Sequence, residues 1–467
     1  MTARIGLWGG LIVFLMMLLL PPPAGMPLAA WRTCALVVLM ASWWMSQALP
    51  LTATALLPFL AFPLFGIMSA SETAAAYYSP ILFLVLGGAM IALAIERVGL
   101  HRRLALAIVR RGGHTPGAML FAFLMATALI SMIVSNTATT LIMIPIAVAL
   151  IKAAEIPDKH TDGFAGALAM GIAFAASIGG LGTLVGSPTN AIAAGIIEKT
   201  VGLRITFLDW ATFGIPLVLL AIPLCWAILM RVQRVRPDDF VPEKALAAIG
   251  EAGPWSSAEK RLVPLVALVV AAWVAVPFVT PLLPKDSLTD GTIAIAAALA
   301  LFVIPDGSGR ALLNWDEADR APWGVIMMFG GGLALAAGMG ASGLGDWLGV
   351  ALQPLQAVHP LIVVLVLVAL VVLITEFASN VAAASAVIPV VAGIIAATGA
   401  DPILLALPAA WAASWGFMLP SGTGPNAIAW ATGHIALPRM LKAGLILDLA
   451  GIPLMVATVW LIAPLVG

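Results

Sequence analysis

SNTATTLIMIPIA, Ser135 to Ala147, lies deep inside apolar sequence, and so does its echo SNVAAASAVIPVV, Ser379 to Val391. Each is followed by a second echo, GSPTNAIA from Gly186 to Ala193 and GTGPNAIA from Gly422 to Ala429. Amides, hydroxyls and helix breakers are costly in lipid unless they face protein, water or a ligand. One such cluster is explained by a helix kink. Two duplicated pairs point to a binding site built twice and assembled between the halves of a transporter.

The surrounding composition is that of a membrane protein. The chain has 467 residues, 62% apolar and 9% charged, with a mean hydropathy of +1.10. Apolar runs of about 20 residues recur throughout, the length that crosses a bilayer as a helix. The first, Ile5 to Leu20, precedes Pro21-Pro22-Pro23 with no small-residue cleavage site, and is expected to be a retained helix rather than a signal peptide. Cys34 and Cys225 both lie in apolar runs, so neither a disulfide framework nor a cysteine metal cluster is implied.

The expected fold is all-α and polytopic. Eleven spans are read at 5–22, 28–49, 52–67, 81–99, 164–197, 211–231, 261–283, 288–305, 322–340, 403–432 and 438–465. Segments 118–150 and 360–397 remain, each too long for one span and polar at its middle. They suit re-entrant hairpins that enter and leave on one side. Segments 164–197 and 403–432 are also too long, and break at Gly186-Ser187-Pro188 and Gly422-Thr423-Gly424. Gly and Pro there free backbone groups that must find a ligand or a protein partner.

Charge supports this layout. With the N-terminus inside, only Lys199, Arg204, Lys285 and Arg32 of the 22 Lys and Arg residues fall outside. The other eighteen, among them Arg97, Arg102, Arg103, Lys159, Lys244, Arg320 and Arg439, fall on the cytoplasmic side. Counting either hairpin as a single span destroys the bias. The expected organisation is N-terminal scaffold helices over 1–70, a first repeat over 71–231, a cytoplasmic linker over 232–260 carrying Asp238-Asp239, and a second repeat over 261–467. The repeat reads as inverted. FLVLGGAMIALAIERVGLHRRLA from Phe83 echoes IMMFGGGLALAAGMGASGLGDWLG from Ile326, and only the first copy ends in arginines. The first hairpin is therefore expected to open to the cytoplasm and the second to the exterior.

At the first tip, Asn136 offers a donor and an acceptor, and Ser135 and Thr137 offer hydroxyls. A helix starting at Ala138-Thr139-Thr140 would aim its positive dipole end at the tip, which suits an anion. Unwound carbonyls opposite suit a hard cation such as sodium. For a single copy, an ordinary N-cap is an equally good explanation. Glu376 is open between a structural hydrogen bond and a proton-sensing role. Glu96 reads as a solvated ion pair with Arg97. Asp209 and Asp448, near helix ends or in a wet core, receive no role. Gly340-Ala341-Ser342-Gly343 and Gly343-Leu344-Gly345-Asp346 match short motifs of intramembrane serine and aspartyl proteases. Each needs a partner, His434 or Asp448, and a helix-ending glycine is the simpler reading. Trp31, Trp43, Trp44 and Trp273 read as interface or packing residues. No phosphate-cradling loop is present and no nucleic-acid partner is expected.

The tips SNT (135–137) and SN (379–380), the two Gly/Pro-Asn loops, WWMSQALPLTATALLP from Trp43 and LFLVLGGAMIALAIERVGLHRR from Leu82 together resemble the divalent anion/sodium symporter (DASS) family, from about residue 30 to the end of the chain. The resemblance implies a homodimeric elevator-type transporter with a scaffold part and a mobile part, in a bacterial-type inner membrane. It would move C4-dicarboxylates, citrate, sulfate or similar anions, usually with sodium as co-substrate and no organic cofactor. Carried across by motif, a first sodium site would use Ser131, Ser135, Asn136 and the Gly186 backbone. A second would use the Thr375, Ala378 and Gly422 backbone and the Asn380 side chain. Substrate would touch Asn136, Thr137, Ser379, Asn380 and Thr423. Two departures stand out: Val381 where many members have Thr, and TGPN where many have TPPN, which leaves that loop more flexible. A sodium-independent exchanger, an anion channel and an intramembrane protease are the alternatives.

Overall fold

A computed structural model describes residues 2–112, 115–154, 156, 161–237, 253–284 and 287–466. The middle of the expected linker, with Asp238-Asp239 and Lys244, and also Lys159 and Lys285, lies outside the described residues. Among the described residues the chain is helical, with no strand beyond one isolated bridge between Pro305 and Ala311.

Nine described helices are long and apolar enough to cross a bilayer. Two of these, Asn136–Ala153 and Pro360–Phe377, are hairpin arms. Each of the eleven expected spans is helical, four of them short or broken. Span 52–67 divides into Leu51–Thr54 and Leu57–Phe65. Span 288–305 keeps only Asp290–Val303. Span 164–197 becomes Gly163–Gly180 and Pro188–Val201, and span 403–432 becomes Pro402–Ala412 and Gly424–Trp430. The last two breaks include the expected Gly186-Ser187-Pro188 and Gly422-Thr423-Gly424, whereas the split at Ala55-Leu56 was not expected.

The first hairpin is Pro116–Ser131 turning back into Asn136–Ala153, and the second is Pro360–Phe377 turning back into Asn380–Thr398. Both return helices begin at the tip asparagine, two residues earlier than expected in the first hairpin. The preceding serine caps each one: Ser135 Oγ accepts from Ala138 N at 3.3 Å and Ser379 Oγ from Ala382 N at 3.2 Å. Both serines are thus N-caps.

The two halves interlock. The first hairpin packs on Gly163–Gly180 and the second on Pro402–Ala412. The returning segments cross over: Pro188–Val201 packs on Asn380–Thr398, and Gly424–Trp430 packs on Asn136–Ala153. Elsewhere Pro80–Val98 lies against Asp290–Val303 through glycines. A Cβ on Gly87 would stand 2.5 Å from the Ala294 carbonyl carbon, and one on Gly291 2.5 Å from Pro80 O. Helices in lipid lack a strong hydrophobic drive to associate, so such close backbone approach supplies the packing energy.

Ion pairs gather where the charge count places one side of the membrane. Arg97 contacts Asp306 at 2.5 Å and Glu317 at 3.2 Å, Arg103 contacts Glu259 at 2.6 Å, and Arg439 contacts Asp162 at 2.8 Å. Bonds from the Ser308 hydroxyl and amide, with the Arg97 guanidinium, hold the Asp306 carboxyl well below the usual carboxylate range. The expected Glu96–Arg97 pair is corrected here. Consecutive helical residues do not face each other, and Arg97 turns to Asp306 and Glu317 while Glu96 lines a central cavity. Trp44 and Trp273 are packing residues, buried in the interior.

Candidate functional site

The four polar motifs converge. A cavity of about 580 Å³ is lined by Ser135, Asn136 and Thr137 of the first tip and by Ser379, Asn380 and Val381 of the second. Gly186, Ser187 and Pro188 of the first break line it too, with Gly422, Thr423 and Gly424 of the second. Sequence positions more than 200 residues apart thus share one chamber. Four helices begin at its wall: Asn136–Ala153, Pro188–Val201 and Asn380–Thr398, of 18, 14 and 19 residues, and the short Gly424–Trp430. Each turns its positive dipole end toward the chamber, which suits an anion. Glu96 and Arg320 also line it.

Behind each tip the side chains repeat one arrangement. Ser131 Oγ is 2.8 Å from Asn136 Oδ1 and 2.7 Å from Ala176 O. Thr375 Oγ1 is 3.1 Å from Asn380 Oδ1 and 2.7 Å from Ala413 O. In each cluster three oxygens share a single hydroxyl proton. Clusters rich in oxygen and poor in donors are the chemistry of a hard cation. Unpartnered polar atoms also occur at mirrored positions nearby. Among the described residues Ser177 Oγ, Ser414 Oγ, Asn190 Oδ1 and Asn426 Oδ1 are buried with no hydrogen-bond partner.

The breaks are braced by their asparagines, a role that sequence reasoning did not assign. Asn190 Nδ2 donates to Gly180 O at 2.7 Å and Thr183 O at 2.8 Å, and Asn426 Nδ2 donates to Leu419 O at 3.0 Å. The signal was present in the matching register of Asn190 and Asn426 within the two echoes. Arg320, which lines the cavity, had no such signal.

Of the expected site residues, Ser135, Asn136, Thr137, Gly186, Ser379, Asn380, Gly422 and Thr423 line the cavity. Ser131 and Thr375 are fully buried behind the tips and tied to the tip asparagines. Ala378 sits in extended backbone at the C-terminal end of Pro360–Phe377. Gly424 opens the helix Gly424–Trp430, whose Thr423 cap accepts from Asn426 N at 3.2 Å.

The protease motifs find no such chamber. Ser342 Oγ donates to Met339 O within its own turn, and Asp346 is exposed at the start of Leu344–Ala351. Gly343 has φ +76° and Gly99, its counterpart in the first echo, φ +81°. Both end a helix in the left-handed region, as the simpler reading expects.

The family model described as the sodium:sulfate symporter transmembrane region matches residues 3–466. The chain belongs to the divalent anion/sodium symporter family. Among its relatives in that family is the sodium-dependent dicarboxylate transporter SdcS of Staphylococcus saprophyticus, 37% identical over 449 residues, covering 92% of this chain and 85% of the relative. The SdcS of Staphylococcus aureus strain USA300 is 37% identical over 478 aligned positions, covering 99% of this chain and 91% of its own length. In fold the symporter chain is similar to the crystal structure of the Alcanivorax borkumensis YdaH transporter, with a TM-score of 0.58 at 17% identity, covering 92% of this chain and 98% of that one.

Proposed function

We infer that this chain is a secondary active transporter that carries a dicarboxylate, or a similar small divalent anion, together with sodium. The carrying observation is the mirrored pair of oxygen clusters, Ser131–Asn136–Ala176 and Thr375–Asn380–Ala413, behind an anion-suited chamber. Sodium as co-substrate fits these clusters, and the 37% identical relatives are named sodium-dependent dicarboxylate transporters. We assign Ser131, Ser135, Asn136 and the Gly186 carbonyl to one sodium. The other takes the Thr375 hydroxyl, in place of the Thr375 backbone that the resemblance implies, with the Ala378 backbone, the Asn380 side chain and the Gly422 carbonyl. Asn136, Thr137, Ser379, Asn380 and Thr423 face the anion. The asparagines serve both partners, which couples the two ligands: cation binding fixes the amide that the anion needs.

The charge bias and the clustered ion pairs of Arg97, Arg103 and Arg439 support a cytoplasmic N-terminus in the plasma membrane. In that orientation Arg320 and Glu96 mark a cytoplasmic opening of the chamber. Alternating access then needs the interlocked hairpins and broken helices to move as one body against the outer helices, an elevator, within a homodimer. The chamber and the fates of Ser342 and Asp346 favour transport over proteolysis.

Reconstituted proteoliposomes test this. Uptake of succinate, citrate and sulfate is measured with and without an inward sodium gradient, and with anion preloaded inside. Concentrative, sodium-dependent uptake is expected. Uptake that needs internal anion and ignores sodium identifies an exchanger and overturns the symport reading.

A further inference from the structure

Glu376 is 3% exposed, at the end of Pro360–Phe377, and does not line the chamber. Its carboxylate is spent on one stretch of backbone. Oε1 accepts from Phe417 N at 2.6 Å and Met418 N at 3.0 Å, while Oε2 accepts from Met418 N and Leu419 N, both at 3.2 Å. Successive amides turned toward one anion form a nest, and charge-assisted bonds of this kind are the stronger ones. This stretch lies inside the second break and leads, within a few residues, to Gly422 and Thr423 at the chamber wall. The last helix covers the same stretch: a Cβ on Gly444 would stand 2.6 Å from Met418 N, and Trp415 Nε1 donates to Leu447 O at 3.2 Å.

The first half makes the same connection with different chemistry. There the loop supplies the side chain: Thr183 Oγ1 donates to Met132 O, and the same oxygen accepts from Gly186 N at 3.1 Å. Aligning Gly186 with Gly422 places Leu419 at the Thr183 position, and aligning Ser131 with Thr375 places Glu376 at the Met132 position. Leu419 has no hydroxyl to give. In the second half the hairpin arm provides a carboxylate and the loop provides amides.

We propose that Glu376 is the positioning residue of the second half-site: through the amides of Phe417, Met418 and Leu419 it sets where the Gly422 carbonyl and Thr423 stand relative to Asn380, and it touches neither ion nor anion. This rests on the reading of that half-site as a sodium and anion site. Glu376→Gln keeps the volume but leaves one acceptor oxygen in place of two, so the carboxylate's charge is lost and the loop amides of Phe417, Met418 and Leu419 can no longer all be held. The loop loosens, and the half-saturation constants for sodium and for succinate rise by about ten-fold or more in proteoliposome uptake, while the maximal rate at saturating ligand falls less. Leu419→Thr in the same background restores the connection used by the first half, with its hydroxyl reaching the Glu376 backbone carbonyl, and recovers a large part of the shift.

A purely structural residue would change the amount of folded protein and the maximal rate and leave both half-saturation constants alone. That result in Glu376→Gln overturns the proposal. If Glu376→Gln does not accumulate as folded protein, Glu376→Asp carries the test. It keeps the charge but is too short to reach all three amides, so smaller shifts of the same sign are expected, and wild-type constants overturn the proposal. If wild-type uptake is independent of sodium, the symport reading fails on its own, while the succinate constant of Glu376→Gln still decides the role of Glu376.

Discussion

Gly424 of the second break faces Thr137 of the first tip so closely that a Cβ on Gly424 would stand 2.7 Å from Thr137 Oγ1. The glycine therefore leaves room for a hydroxyl contributed by the other half. Gly424→Ala is expected to turn that hydroxyl away and weaken apparent succinate affinity several-fold. Stability should change by less than about 1 kcal/mol, because the obstructing atom is a side-chain end that rotates. Succinate competition and thermal unfolding on the same preparation check this. An unchanged affinity would mean that Thr137 Oγ1 does not face the anion.

Asn136 and Asn380 are the hinge of the coupling argument. Each loses a shared contact when replaced by alanine, roughly 1–3 kcal/mol for each buried group left unsatisfied. Asn136→Ala and Asn380→Ala should both abolish concentrative uptake while the protein still elutes as a folded species on size-exclusion chromatography. Near wild-type transport by either variant would remove that residue from the site.

Val381 lines the chamber at the position where the first tip carries Thr137. Val has nearly the shape of Thr but no donor. Val381→Thr restores a bond worth about 0.5–1.5 kcal/mol, or up to about 3 with a charged acceptor, and should tighten succinate binding from a few-fold to about a hundred-fold. Thr137→Val should weaken it, and neither should move apparent sodium affinity. If only Thr137→Val has an effect, the anion rests mainly against the first tip.

Asp448 is buried, 3% exposed, with its carboxyl beside that of Glu376. Two buried carboxylates side by side are costly unless one of them donates. Asp448→Asn supplies an amide donor in nearly the same volume. It should unfold at or above the wild-type temperature and keep transport. A fall in melting temperature of more than about 5 °C would contradict this.

Inverted topology makes a separate demand. In a chain freed of Cys34 and Cys225, Thr115→Cys ahead of the first hairpin should label only from the cytoplasm, and Gln356→Cys ahead of the second only from outside. Labelling of both from one side would remove the inverted repeat.

The hairpins and breaks were legible because tip and loop motifs are local and occur twice. Their boundaries followed from length against bilayer thickness and from Gly and Pro. What the sequence hid was how distant backbone meets side chain. Glu376 answers to amides 41 to 43 residues away, and amides carry no residue-type signature. Arg97 was matched to its neighbour Glu96, although helical geometry sends the two in different directions and the true partners, Asp306 and Glu317, lie some 200 residues on. The close approach of Gly424 to Thr137 was also hidden, because the two belong to different halves.

The central claim is that two mirrored oxygen clusters hold two sodium ions. The sodium dependence of succinate uptake, measured in wild type, Ser131→Ala and Thr375→Val, tests it most directly. Wild type should respond sigmoidally. Each variant removes one hydroxyl oxygen from one cluster and should raise the sodium half-saturation by about ten-fold, while uptake still approaches its maximum at high sodium. Sodium curves that superimpose on wild type in both variants would contradict the account.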